Sequence, residues 1–472
     1  MVTGLLNLRS RFAAHQCSMQ PQKDKRDSPD NHCSAIILWN SKAAAIEWPI
    51  LRCKTMKSVF SKNPINALHG VRPLYGAAFM MAISLSAWWT TMPFIVRNIG
   101  GSEDHVGYAW AANMFGYLVC LLLAGAALGQ HNPKNTTRIA VAIAFVSALA
   151  MSVVVYAILS KQLVGNLVLI WTVIAAGAVA GAAMSLFWPF LMSWVSEDFE
   201  GPTLNRRLGT YNGAWSGAAI VGPLLGGIFI ETNTVFPVVF ATCGMFVCFL
   251  FLSVATDGSV HASLFGDEDA QPVAGCENRA DLMRFRWIAR IALFSSWACL
   301  GVTRSQFALL FTDIGFSETW FGIMVTIFGV FNFAVMTAAG RCAFWHFKST
   351  LLLAVQVLLA VSLVLIIYGR SLPVFALSFI VMGGGFGFAY SSHLYYGVCG
   401  TKKRSVQMVV HETTISIGVI VGSGAGGYFA KNLGLHWPYF FALILIAAGF
   451  LAQLILLLNG KYTQNAVRNN PV

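Results

Sequence analysis

Four ionisable side chains sit where water is scarce. Arg304, His393, His411 and Glu412 all fall within long apolar runs of the 472-residue chain. A charge at the middle of a bilayer costs about 2.5–3.5 kcal/mol on insertion scales, so such a residue normally faces water, a partner or a ligand. Arg304 has the chemistry of an anion contact, for a carboxylate or a phosphate; the alternative is an arginine at the outer mouth, paired with Asp313 or snorkelling to the interface. Glu412 is the one carboxylate placed within a run, and a buried carboxylate can carry a proton. Its alternative is a gate salt bridge to Arg404 or Arg207. His411 precedes it, and both His411 and His393 belong to the residue type that titrates near neutral pH; a satisfied structural histidine is the plainer alternative.

Uncharged polar and aromatic groups surround these charges in sequence. The first apolar run holds Trp88, Trp89, Thr90 and Thr91, and the seventh holds Ser305 and Gln306 beside Arg304. Tryptophans there can stack on a ring or join an interfacial aromatic belt. The tenth run carries the densest polar stretch, Tyr390, Ser391, Ser392, His393, Tyr395 and Tyr396. In the fourth run Trp188-Pro189 interrupts helical hydrogen bonding, because proline has no N–H. The ten cysteines show no metal-ligand spacing, so no metal site is expected.

Twelve apolar runs must position these groups: about 74–97, 106–128, 138–160, 165–193, 209–230, 236–256, 287–311, 319–340, 350–368, 373–397, 409–430 and 437–458. Each is near the ~20 residues that a helix needs to cross a ~30 Å hydrocarbon core. Only 11% of residues are charged, far below the about 25% of a soluble domain. The ~10-residue alternating strands of a membrane β-barrel do not occur. An all-α polytopic membrane protein is the expected class. The halves also echo one another. NIGGSEDHVG (98–107) and DIGFSETWFG (313–322) share Ile, Gly, Ser, Glu and Gly at an offset of 215. GAWSGAAIVGPLLGGIF (213–229) and TTISIGVIVGSGAGGYF (413–429) share seven residues at an offset of 200. Two six-helix halves in the same orientation, related by a pseudo-twofold axis, follow from that pattern. By the 215 offset Trp88 to Thr91 align with Thr303 to Gln306, and by the 200 offset His411 and Glu412 align with Tyr211 and Asn212.

Charge sets the orientation. With the N-terminal segment inside, the inner connections hold twelve Lys and Arg against four in the outer ones, so the positive-inside rule places both termini in the cytoplasm. The domains expected are a disordered cytoplasmic segment (1–70), a six-helix bundle (71–256), a cytoplasmic central loop (257–284), a second bundle (285–460) and a cytoplasmic tail (461–472). The first segment has two competing readings: a small regulatory piece, or a start placed too early, with Met56 the true one. The net charge of +12 is absorbed by this topology, and no basic–aromatic pattern points to nucleic acid.

With twelve spans, a six-plus-six parallel repeat, a long central loop and cytoplasmic ends, residues 71–460 resemble the major facilitator superfamily. Gly222-Pro223-Leu224-Leu225-Gly226-Gly227 also matches the Gly-Pro-x-x-Gly-Gly element in the fifth span of that family's drug–proton antiporters. Other positions depart from the family. In the loop after the second span Gly125 matches, but Gly129 replaces the expected Asp, with Lys134 and Arg138 for the basic run. After the eighth span Gly340 replaces the Asp and Arg341 follows. The fourth run lacks the antiporters' arginine. The resemblance implies that the first, fourth, seventh and tenth spans line a central cavity. Trp88, Trp89, Thr90, Thr91, Arg304, Ser305, Gln306, Tyr390, Ser391, Ser392 and Tyr395 are then the substrate candidates. His393, His411, Glu412, Gly222, Pro223, Gly226, Gly227 and Arg341 are the proton or gating candidates.

The function expected is secondary transport of a small solute by alternating access in the cell membrane, coupled to an ion such as the proton or to the solute's own gradient. No cofactor is expected, and no Walker sequence offers ATP drive. Proton-coupled export of amphipathic compounds is the alternative. A membrane enzyme or a non-transporting sensor stands behind both, because His411-Glu412 is the single acid–imidazole pair in the bundle.

Overall fold

A computed structural model describes residues 71–128, 132–162, 167–196, 201–255, 279–342, 344–399 and 404–469. The expectations for residues 1–70 and for most of the 257–284 loop lie outside these. Among the described residues there are twelve long helices and no strands. They are α1 (Arg72–Asn98), α2 (Glu103–Leu128), α3 (Pro133–Leu159), α4 (Leu167–Ser196), α5 (Gly201–Thr232) and α6 (Phe236–Val254), then α8 (Glu318–Arg341), α9 (Ser349–Tyr368), α10 (Leu372–Val398), α11 (Arg404–Leu433) and α12 (Trp437–Asn469). Between α6 and α8 runs α7, made of Arg279–Val302, a π turn at Thr303–Phe307 and the short continuation Ala308–Asp313. Eleven helices have the length and hydropathy of a membrane span; α7 carries four of its five arginines in its first half and is interrupted by the π turn. Two helices outrun their apolar runs. The first turns of α5 precede the apolar residues, and α12 continues through polar positions to Asn469.

Packing follows the repeat. In the first half α1 packs on α5 and α6, and α4 on α2 and α3; in the second, α7 packs on α11 and α12, and α10 on α8 and α9. Two seams join the halves, α2 against α11 and α5 against α8. Each pairing maps onto its counterpart when six is added to the helix number, as a pseudo-twofold requires.

The sequence echoes account for these seams. In the first echo Ile99 and Ile314 end α1 and α7, and Gly100 and Gly315 follow with φ of 91° and 103°. That left-handed conformation suits glycine, which has no Cβ to clash. Ser102-Glu103 and Ser317-Glu318 then open α2 and α8, placing an acid in the first turn, where the helix dipole favours negative charge. Gly107 and Gly322 come one turn later, and each meets a glycine of the second echo. A Cβ added to Gly107 would lie 2.8 Å from the Gly427 Cα and 2.3 Å from the Ser423 carbonyl oxygen. One added to Gly322 would lie 3.2 Å from the Gly227 Cα and 2.5 Å from the Pro223 oxygen. The same stretch binds α1 as well: Gly222 receives Ser86, and Gly226 lies against the Ala87 carbonyl. Pro223 loosens the turn before it, and the Ile220 carbonyl there accepts the Thr326 hydroxyl of α8 at 3.0 Å.

These glycine contacts all lie toward the end of the molecule that carries the α1–α2 and α7–α8 turns, here termed the upper end. Polar contacts reinforce it. Lys431 Nζ of α11 stands 2.7 Å from Asp104 Oδ2 of α2, and the Thr319 N–H of α8 donates to Glu231 Oε2 of α5 at 3.2 Å. These two contacts occupy pseudo-equivalent positions. Arg97 and Asp313 face each other at 3.9 Å across α1 and α7. Toward the lower end of the α5–α8 seam, Gly209, Gly213, Gly217 and Gly340 have nothing among the described residues within 4 Å of an added Cβ.

Gly107→Val should therefore prevent the upper end from closing. The expected result is a loss of about 1–3 kcal/mol of thermal stability, as for overpacking elsewhere. A cysteine placed at the fully buried Gln306 should also react several-fold faster with a water-soluble maleimide than in the Gly107 parent. Equal reactivity in the two backgrounds would show that the seam does not gate access.

Candidate functional site

Two groups of polar side chains occupy the spans. The first centres on the π turn of α7. A π turn inserts a residue into the i→i+4 ladder and re-aims the side chains beyond it, often at functional sites. Arg304 stands on this turn, half-buried. Its Nη1 is 3.5 Å from the Thr90 hydroxyl of α1, and its guanidinium lies 5.4 Å from the centroid of the Phe328 ring of α8. Among the described residues no carboxylate pairs with it. The partner weighed for it from sequence, Asp313, faces Arg97 instead, because Asp313 lies more than two turns farther along, at the exposed end of α7. The Phe328 ring meets Phe386 of α10 edge-on at 5.3 Å, and Phe386 meets Trp297 of α7 at 4.8 Å. An aromatic wall thus runs from the guanidinium across three helices.

Several predicted contacts of this group are committed elsewhere. Thr91 and Ser305 donate their hydroxyls to carbonyls of their own helices. Gln306 donates to the Glu103 carbonyl at 3.2 Å and so ties α7 to the top of α2. Trp88 is fully buried with its Nε1 unpaired among the described residues, and Trp89 packs edge-on against Trp110 and beside Gly177 of α4. Thr90 alone of the α1 candidates reaches Arg304.

The second group lies lower, where α10 and α11 face the α2–α11 seam. Glu412 Oε2 accepts the Tyr117 hydroxyl of α2 at 3.1 Å, a bond between the two halves. Glu412 sits eight residues into α11, or about 12 Å of helix from its start. Tyr117 is its partner among the described residues, and the Arg404 side chain weighed for it from sequence lies outside them. Tyr390 lies within electrostatic reach of the same carboxylate, and Tyr211 within reach of Tyr390. Beside it the Nδ1 atoms of His393 and His411 are 2.8 Å apart, both rings almost wholly buried. One imidazole donates and the other accepts, so the pair shares an N–H and cannot hold two cations at that distance without strong repulsion. Tyr390 packs edge-on against His411, and the buried His411 Nε2 has no partner among the described residues.

The remaining candidates divide. Ser391 is half-buried and Ser392 donates to the Ala389 carbonyl of its own helix. Tyr395 stacks on His346 at 3.9 Å and joins Trp345, Phe347 and Tyr396 in a cluster at the lower end, apart from both polar groups. There Tyr396 accepts the Phe347 N–H at 2.8 Å and Arg286 donates to the Tyr396 carbonyl. Gly222, Pro223, Gly226 and Gly227 form the seam already described. Arg341 is exposed at the end of α8 with no ion pair among the described residues. Tyr117, Trp297, Phe328 and the π turn carry no ionisable or motif signal in the sequence. Tyr117 becomes visible only once α2 is known to face α11.

A model of the Major Facilitator Superfamily matches residues 74–398. No curated protein matches the chain. Solved structures share its fold. A bacterial homologue of the iron transporter ferroportin, in an inward-facing state, is 14% identical with a TM-score of 0.64, over 82% of this chain and 98% of that one. The nucleoside transporter NupG is 12% identical with a TM-score of 0.63, over 82% and 98%. A POT family transporter in complex with a thioalcohol-conjugated peptide is 13% identical with a TM-score of 0.62, over 83% and 96%.

A desolvated guanidinium without a carboxylate is a burden on the folded state. Replacing Arg304 with Met should raise stability by about 1–2 kcal/mol, the insertion cost being discounted because Arg304 is only half-buried. A melting curve of the purified protein in detergent checks it; a destabilised Arg304→Met variant would mean that the cation holds the fold together.

Proposed function

The chain belongs to the major facilitator superfamily, and on that premise we propose that it is a secondary carrier that moves a small solute across the cell membrane by alternating access, with Glu412 as the proton-carrying group. The observation that supports this most is the asymmetry between the two ends: glycine contacts and the Asp104–Lys431 pair close the upper end, while Gly209, Gly213, Gly217 and Gly340, toward the lower end of the α5–α8 seam, have no close neighbour among the described residues. The positive-inside count makes the upper end external and both termini cytoplasmic, so the conformation described is open to the cytoplasm.

Glu412 suits the coupling role because the hydrogen bond its carboxylate accepts among the described residues crosses between halves. An ionised carboxylate strengthens the bond from Tyr117, since charge-assisted hydrogen bonds are the stronger kind. A protonated one weakens it and removes a charge from the span. Proton occupancy thereby biases the α2–α11 seam, which is what coupling an ion to a conformational equilibrium requires. The His393–His411 pair stands next in line as a proton store or relay. A second reading, proton-coupled export of amphipathic compounds, draws on Gly222-Pro223-x-x-Gly226-Gly227, whose glycines face both α1 and α8.

Spin labels on the upper ends of α2 and α11 test the coupling without knowledge of the solute. In the parent protein the inter-label distance distribution should shift between pH 5 and pH 8, and in Glu412→Gln it should stop responding. A response that persists in Glu412→Gln and disappears in His411→Gln would transfer the proton site to the histidine pair. A distribution insensitive to pH in all three proteins would remove proton coupling from the reading.

A further inference from the structure

We infer that the central site takes a small organic monoanion, a carboxylate on a planar apolar body, with the carboxylate on Arg304 and the body against the Phe328–Phe386–Trp297 wall; this rests on the carrier reading. The charge argument comes first. Arg304 is the one cation on the π turn, and no acid among the described residues balances it. The next arginine on α7, Arg290, lies about 21 Å of helix away and is occupied by Gln407 at 2.9 Å and by the Trp287 ring. A single guanidinium matches a single carboxylate in a bidentate pair. A phosphate dianion would leave a charge uncompensated in a medium where that is expensive.

The surroundings select the rest of the ligand. The Arg304 guanidinium lies over the Phe328 face, so the wall begins at the cation. Phe328, Phe386 and Trp297 then meet edge to face at 5.3 and 4.8 Å, an arrangement into which a flat ring can add a further edge or face. Thr90, the α1 residue that touches the guanidinium, brings a hydroxyl from the opposite half. Trp89, aligned with Arg304 by the 215 offset, puts an aromatic ring where the second half has its cation. A ligand between the halves therefore meets a charge and an aromatic wall from one side, and a hydroxyl from the other.

Pairing also supplies a reason for the ligand to drive closure. An empty occluded site holds an unpaired cation in a low-dielectric interior, whereas a carboxylate-loaded one is neutral at that point. The loaded site thus has less to lose when water leaves. Moving the monoanion together with one proton on Glu412 adds no net charge to the transit.

Thermal shift of the purified full-length protein with an isosteric panel tests the inference. The probes are benzoate, benzamide, benzylammonium, acetate and inorganic phosphate. Benzoate should stabilise the parent, and benzamide and benzylammonium, the same size without the negative charge, should not. Acetate should need at least about tenfold higher concentration, because it leaves the aromatic wall empty. The benzoate shift should vanish in Arg304→Met, which is expected to fold well, and return in weakened form in Arg304→Lys, whose ammonium cannot pair bidentately. Equal shifts from benzoate and benzamide, a benzoate shift undiminished in Arg304→Met, a stronger response to benzylammonium or phosphate, or no response to any probe would each overturn the assignment. Those results would leave the pH-driven movement of the seam labels intact if the carrier reading is right, so the two can fail separately.

Discussion

Close approach of backbone to backbone at two seams is the constraint on which the rest of this molecule depends. Helices in lipid gain little from hiding apolar side chains, because the lipid is as apolar as they are, so close packing must hold them together. Between the halves that packing is made where Gly107 meets Gly427 and Gly322 meets Gly227. No side chain lies between the helices at those points, so they touch without interlocking and can separate without repacking a core. The polar contacts beside them, Asp104–Lys431 and Glu231–Thr319, are of the partly exposed kind that contributes modestly. A closure built from weak polar pairs and bare glycine can be reversed, as a gate must be.

The scaffold is symmetric and the chemistry is not. The two seams use the same glycines at the same offsets, yet the polar residues at matched positions differ. Trp89 answers Arg304, Asn212 answers Glu412, and Asn332 answers Tyr117. Arg304, His393, His411 and Glu412 all belong to the second half. Backbone requirements are shared by both halves because any two bundles that rock must close in the same way. Charges are not shared, because each further charge in the span carries its own desolvation cost, and the anion site proposed for Arg304 needs only one cation.

Much of this was legible in the sequence where the signal is local. Twelve runs of spanning length locate twelve helices, and Ile-Gly followed by Ser-Glu reads as the end of one helix and the start of the next. The repeat itself exposes the pseudo-twofold. What stays hidden is anything set by which helix faces which. Arg304 stands out as an intramembrane charge, but Asp313 is a partner suggested by proximity in sequence, and Arg97 of another helix takes it. Glu412 stands out for the same reason, while Tyr117 lies 295 residues away and looks like any aromatic residue of an apolar run. Tyr395 shares a polar stretch with Tyr390, yet one faces the buried histidines and the other stacks on His346 at the lower end. Five residues of helix separate two surroundings that composition cannot tell apart. The π turn leaves no trace in residue type, since its cost is borne by packing rather than by propensity.

The placement of charge also says which seam leads. The α2–α11 seam carries the Asp104–Lys431 pair near its upper end and the Tyr117–Glu412 bond lower down. The α5–α8 seam carries, at its upper end, a carboxylate accepting a backbone N–H and, lower down, a hydroxyl on the Ile220 carbonyl. With Glu412 as the proposed proton site, binding or losing that proton acts directly on the first seam within the span, whereas the second, whose Glu231 carboxylate sits at the exposed upper end, responds there only by being attached to the same two bundles. Rigid halves transmit the change: α2 and α5 both belong to the first bundle, α8 and α11 to the second, and neither seam can part while the other stays fully packed. On the proposed proton-coupled reading the ion has to act at only one seam. The glycines of the other then matter as a hinge surface, smooth enough to follow and tight enough to seal, and this accounts for a repeat that preserves glycine at both seams while placing a carboxylate deep in the span at one.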